Sequence, residues 1–166
     1  MKNIVIFGMD NTGKTTLGNN LKNLLNEVGN VRYVHSLGNV SIDKQMEFMK
    51  TELDNNRSID FKIFDRFPII EERVYGNVLR GKSRYYGMDN YENEQLSKID
   101  LFIYCDPGID VIKNWQGREQ MDGVIDNVDR LYNEYLVLKN ELIDKGYNVK
   151  TYDFNKDDYH DLMEMN

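Results

Sequence analysis

The eight residues Gly8-Met9-Asp10-Asn11-Thr12-Gly13-Lys14-Thr15 constrain this chain more than anything else in it. They satisfy the spacing G-x-x-x-x-G-K-[ST] without a gap, and they stand between two runs of opposite periodicity. Before them, Lys2–Phe7 is a short β-branched run that reads as a buried strand. After them, Leu17, Leu21, Leu24, Leu25 and Val28 recur at helical spacing until Gly29 stops the pattern. A glycine-rich turn in that setting curls the backbone so that successive N–H groups converge on a phosphate chain. The helix behind it adds the positive end of its dipole. Gly8, Asn11, Thr12, Gly13, Lys14, Thr15 and Thr16 are therefore the expected binding residues for ATP or another nucleoside triphosphate. Lys14 supplies a point charge for the β- and γ-phosphates, and the Thr15 hydroxyl a ligand for Mg2+.

The rest of the chain repeats the strand-then-helix alternation. Val31–Ser36, Phe61–Phe64, Ile99–Tyr104 and Asn148–Tyr152 are further strand candidates. Helical stripes run through Ile42, Met46, Met49 and Leu53, through Ile69–Leu79, and from about Val124 to Lys145. A short helix is expected from Ile109 to Trp115 and another over Asp157–Met165, with Gly81–Asn90 as a loop. Short apolar strands alternating with helices demand a parallel sheet, because parallel neighbours need a crossover element. The expected fold is one three-layer α/β domain, a five-stranded parallel sheet covered by helices on both faces. In such sheets ligands bind beyond the carboxyl ends of the strands.

Composition narrows the partners. With 21 Lys plus Arg against 28 Asp plus Glu, the net charge is −7. That balance argues against a non-specific grip on polymeric nucleic acid, which needs a basic face. The 166 residues match one domain, and 40% hydrophobic content excludes a disordered polyanion. No apolar run approaches the roughly 20 residues of a membrane span, and Met1–Phe7 is too short for a secretory h-region. A single cysteine, Cys105, with no Cys/His cluster, suits a reducing, cytoplasmic setting. Arg73, Arg80 and Arg84, near Tyr85 and Tyr86, read as a solvated basic cluster.

The phosphate loop alone does not distinguish switch GTPases, ATPase motors and small-molecule kinases. No Asn-Lys-x-Asp-type guanine motif follows the fourth strand, which ends Tyr104-Cys105-Asp106-Pro107. The third strand ends in Asp65-Arg66-Phe67-Pro68 rather than in an acidic pair. An acid followed by a cation at a strand end suits transfer to a second substrate, with Asp65 beside the metal and Arg66 clamping an anion.

Together these motifs resemble the thymidylate kinase-like branch of P-loop kinases, which transfer the γ-phosphoryl of ATP to deoxynucleoside monophosphates. The likeness is carried by the loop through Thr16 with its acidic Asp10, by Asp65-Arg66-Phe67, by Val74-Tyr75-Gly76 and Arg80-Gly81, and by Asp106 followed by Gly117-Arg118-Glu119. His35-Ser36-Leu37-Gly38-Asn39 stands where that family has an Arg-Glu-Pro-Gly type of loop. The resemblance implies catalytic roles for Lys14, Asp65, Arg66 and Arg118, and Mg2+ held by Thr15 and Asp65. It implies acceptor contacts from Asp10, Arg66, Phe67 and Tyr75, a lid over about residues 114–123, and a homodimer. The expected reaction is ATP- and Mg-dependent phosphoryl transfer to a deoxynucleoside monophosphate, dTMP-like in the first instance. Two alternatives stand beside it: a kinase acting on a hydroxyl, of a deoxynucleoside or on nucleic acid, and a non-catalytic nucleotide-binding module.

Overall fold

The computed structural model describes residues 1–54, 58–114 and 123–163. Five strands, β1 (Lys2–Phe7), β2 (Val31–His35), β3 (Phe61–Asp65), β4 (Leu101–Cys105) and β5 (Val149–Tyr152), form one parallel sheet in the order β2-β3-β1-β4-β5. Six α-helices are described: α1 (Lys14–Asn26), α2 (Ile42–Asp54), α3 (Pro68–Arg80), α4 (Asp89–Leu96), α5 (Ile109–Asn114) and α6 (Val128–Asp144).

Alternation along the strands splits the core between the two faces of the sheet. Ile4, Ile6, Ile63, Ile103 and Cys105 face Leu17, Leu21 and Leu25 of α1. Val5, Phe7, Phe64, Phe102 and Tyr104 face the other way, into a larger cluster with Met49 of α2, Val74 of α3, and Leu131 and Tyr135 of α6. The three layers match the expected fold, and the strand bounds lie close to those read from the sequence.

Three elements depart from that reading. Helix α4 begins at the end of a stretch expected to be a loop, and it buries Glu92, Gln95 and Leu96, only one of them apolar. The long helix starts at Val128 rather than Val124, because Ile125–Asn127 winds first as a 3-10 turn. In place of a closing helix over Asp157–Met165, the described residues hold a single 3-10 turn, Tyr159–Leu162, started by the Asp158 carboxylate accepting the His160 amide at 3.0 Å. Among the described residues no helix is long and apolar enough to cross a membrane.

The sheet order brings three chain segments together at one end. Asp65, last in β3, is in register with Ile6 of β1 and with His35 of β2. The loop leaving β1 and the turns leaving β2 and β3 therefore emerge side by side.

Candidate active site

The phosphate loop holds a shape that other residues resist. Gly8 has φ 140°, and a Cβ there would lie 2.6 Å from the Cys105 carbonyl oxygen of the neighbouring strand. That contact is with backbone and cannot be relieved by a rotamer. Asn11 adopts a left-handed φ of 64°, which asparagine tolerates better than most residues. The Thr12 hydroxyl donates to the Met9 carbonyl at 2.8 Å and closes the loop from inside. The Lys14 ammonium donates to the same carbonyl. Lys14 is buried, and among the described residues no carboxylate lies within ion-pair distance of it. Burial first, and Arg66 second, lower its pKa. A buried ammonium in that state is stabilised by any anion that enters the loop. Thr15 and Thr16 are exposed at the head of α1.

Asp65 and Arg66 follow one another in the chain but face different partners. The Asp65 Oδ2 accepts from the Thr15 hydroxyl at 2.8 Å and from the Tyr33 hydroxyl at 3.0 Å. Its Oδ1 is buried and has no hydrogen-bond partner among the described residues. The His35 Nδ1 stands 3.6 Å from Oδ2. An orphaned carboxylate oxygen beside a threonine hydroxyl at the mouth of a phosphate loop fits hydrated Mg2+. That ion commonly takes one or two protein ligands and completes its shell with water and phosphate oxygens. Among the described residues no group of three or more His, Cys, Asp or Glu could hold a metal by itself.

Arg66 reverses the chain direction with a left-handed φ of 72°, and its amide donates to the Ile6 carbonyl at 3.0 Å. Such a conformation costs roughly 1–3 kcal/mol for a residue with a Cβ, so its surroundings must over-determine it. The guanidinium is ion-paired to Asp10 of the loop, and lies 3.4 Å from Glu71 of α3. Burial opposes its charge, but Glu71 and Asp10 more than offset that and hold it firmly protonated. Glu71 in turn accepts from the Tyr135 hydroxyl of α6 at 3.0 Å. Burial pushes its carboxyl above the usual range, against the pull of Arg66.

These groups line a cavity of about 830 Å3. Thr15, His35, Ser36, Asp65, Arg66, Glu71 and Tyr75 are among the residues that line it. Gln45, Glu72, Leu79 and Arg80 also contribute to its lining. Arg73, Arg80 and Arg84 are not the solvated cluster expected from the sequence. Arg73 pairs with Glu141, and Arg80 with Glu72. Arg84 donates to the Val40 carbonyl at 2.6 Å and to Asn39 at 2.7 Å, tying the loop after β2 to the turn after α3. Gln45 holds the same loop, donating to Val40 while accepting from the Tyr85 hydroxyl.

Thr15, Asp65, Arg66 and Tyr75 thus line one cavity, Asp10 is ion-paired to Arg66 of its wall, and Lys14 is buried within the loop. Phe67 lies apart: it is fully buried, edge-on to Phe64 at 5.5 Å, and belongs to the core rather than to the cavity wall. As the residue before Pro68 at the start of α3, it is held in extended backbone that turns its ring inward. Arg118 lies outside the described residues, and of the expected lid only Asn114 and Gly123 lie within them. The expectations built from motifs omit Tyr33, Glu71, Glu72 and Tyr135. Gly18, an isolated glycine inside α1, is the one local signal for Tyr33, since such a glycine marks close approach of another group.

No protein-family model matches the chain, and neither does any curated protein sequence. Solved structures do. The YorR protein of Bacillus subtilis, solved in complex with phosphorylated GDP, superposes with a TM-score of 0.67 over 97% of this chain and 91% of that one, at 18% identity. A deoxyadenosine kinase from M. mycoides, holding the products dCMP and dCDP, gives 0.61 over 98% and 95%, at 17% identity. Thymidylate kinase from Ehrlichia chaffeensis gives 0.57 over 97% and 93%, at 14% identity. At these identities the likeness establishes the fold. It is a three-layer α/β fold, shared with these structures over almost the whole length of both chains.

Proposed function

We propose that this protein is a nucleotide kinase that moves the γ-phosphoryl group of ATP to a deoxynucleoside monophosphate, with a dTMP-like acceptor as first choice. The observation that carries this reading is the single cavity that joins the Thr15–Asp65 end of the phosphate loop to Arg66, whose left-handed backbone aims a fixed cation into it. Donor and acceptor phosphates would meet there. The solved kinases of the same fold, which include a deoxyadenosine kinase and a thymidylate kinase, support it.

Phosphoryl transfer asks for positioning and charge neutralisation more than for covalent chemistry. Lys14 and the loop amides would hold the donor's β- and γ-phosphates. Mg2+, held by Thr15 and through water by Asp65, would supply neutralising charge on the same oxygens. Arg66 would orient the acceptor phosphate, with Asp10 beside it at the sugar and Tyr75 along the nucleoside. Arg118 is retained as the lid's arginine. A hydroxyl acceptor is the second reading. It is favoured by one observation: Arg66 already has two carboxylate neighbours, Asp10 and Glu71, either of which could accept a proton from an incoming hydroxyl.

A panel of nucleosides and nucleoside monophosphates with ATP and Mg2+, read by ADP release and product mass, tests both. Products one phosphate heavier in the monophosphate panel support the first reading. Products confined to the nucleoside panel support the second. Silence in both panels would leave a polymeric acceptor or a binding module.

A further inference from the structure

The carboxylate at the end of β3 is oriented by a residue outside every motif above. Tyr33 lies in β2, two residues before the strand ends, and reaches across toward α1. Its hydroxyl donates to Asp65 Oδ2 at 3.0 Å, the same oxygen that receives the Thr15 hydroxyl at 2.8 Å. Both hydroxyls thus hold one oxygen, while Oδ1 is buried with no hydrogen-bond partner among the described residues.

The helix opposite is cut away to admit this side chain. A Cβ on Gly18 would lie 2.3 Å from the Tyr33 hydroxyl oxygen and 2.5 and 2.8 Å from two of its ring carbons. Glycine is a poor residue for a helix interior, so its presence in α1 is explained by the ring it accommodates. The bond is not needed to align the strands, because β2 and β3 already pair through their backbones from Val31–Phe61 to His35–Asp65.

We propose that Tyr33 is a positioning residue for the cation that accompanies the nucleotide: by holding Oδ2 it fixes the orientation in which the Asp65 carboxylate would meet the hydrated metal. This rests on the nucleotide-binding reading of the loop. Groups behind a metal-side ligand set its orientation, and their loss commonly costs about 10–100-fold in metal affinity or activity.

Calorimetric titration of ATP, once with Mg2+ and once with EDTA, tests this without reference to turnover. The ratio of the two affinities is compared among the wild type, Tyr33→Phe, Asp65→Asn and the double variant. Tyr33→Phe keeps the ring against Gly18 and is expected to fold cooperatively, with some loss of stability from the missing bond, and to retain the metal-free ATP affinity. Its Mg2+-dependent gain should fall about 10-fold. Asp65→Asn should lose the gain, and Tyr33→Phe should then add nothing, since it acts through Asp65. An undiminished gain in Tyr33→Phe would overturn the proposal while leaving the nucleotide reading intact. So would an equal loss with and without metal, or full additivity in the double variant. A wild type that binds no ATP would overturn both.

Discussion

Arg66 is ion-paired to Asp10 across 56 positions of sequence, and this contact joins the turn after β3 to the phosphate loop. Arg66 lies on the wall of the cavity, its side chain about one-third exposed, and Asp10 holds it from the loop. Replacing Arg66 with Ala removes the fixed cation and leaves Glu71 without its counter-charge. Transfer to a monophosphate acceptor should fall by about 10²–10³-fold, as for other groups aimed at developing charge. Background ATP hydrolysis should fall much less. Rates of acceptor-dependent and acceptor-free ADP release, measured side by side, check this. An equal loss in both would assign Arg66 to the donor instead.

Lys14→Ala should abolish phosphoryl transfer and leave the fold standing. The ammonium is buried and desolvated, and among the described residues its one hydrogen-bond contact is a loop carbonyl, so the native state gains little from its charge. Removing it exposes no carboxylate. The expected result is an unfolding midpoint equal to or above that of the wild type, together with loss of ATP-dependent product. Unchanged turnover would defeat the kinase reading.

The physical reach of each signal explains what was legible in the sequence. The loop is a contiguous string in which each residue has a local backbone task, so Gly8 through Thr15 can be read without knowing the fold. The central strands β1, β3 and β4 are largely apolar runs bounded by turns, and a parallel sheet buries both faces of such runs, while the edge strands β2 and β5 are shorter in apolar content and only partly buried. Helix α4 carries the opposite pattern: Asp-Asn-Tyr-Glu-Asn-Glu-Gln-Leu offers no apolar stripe, and its burial of Glu92 and Gln95 comes from packing alone. The site partners are long-range in the same sense. Period-two alternation puts Tyr33 and His35 on one face of β2, but only the β2–β3 register brings Tyr33 near Asp65. Phe67 illustrates the converse. An aromatic after Asp65-Arg66 fits a motif, yet the extended backbone before Pro68 turns it into the core.

Gly18→Ala sets two effects against each other. Alanine improves helix propensity over glycine by about 1 kcal/mol. The new methyl group, however, would fall 2.3–2.8 Å from the hydroxyl oxygen and ring carbons of Tyr33. Overpacking of that kind costs about 1–3 kcal/mol, and swinging the ring outward would also break its bond to Asp65. The net expectation is a destabilised protein despite a better helix former. Urea unfolding of both proteins measures it, and a gain in stability would show that Tyr33 moves without cost.

Glu71→Gln tests the electrostatics of the cavity through the pH dependence of stability. Burial is the largest influence on Glu71 and raises its carboxyl pKa above that of the unfolded chain, although Arg66, Lys14 and Tyr135 pull the other way. The native protein therefore binds this proton to higher pH than the unfolded chain does. Below the unfolded pKa both states are protonated, and the ionisation cost is absent. As pH rises from the ordinary carboxylate range through the raised native pKa, the unfolded chain ionises first and the native state becomes relatively less stable. Glutamine carries no such titration. Wild-type stability minus that of Glu71→Gln should thus decline with rising pH across this window and level off above it. Urea unfolding at intervals between about pH 4 and about pH 8 reads the difference. A difference that grows with pH would mean that the Arg66 contact outweighs burial, and that Glu71 stands ionised at the cavity wall because its counter-charge holds it there.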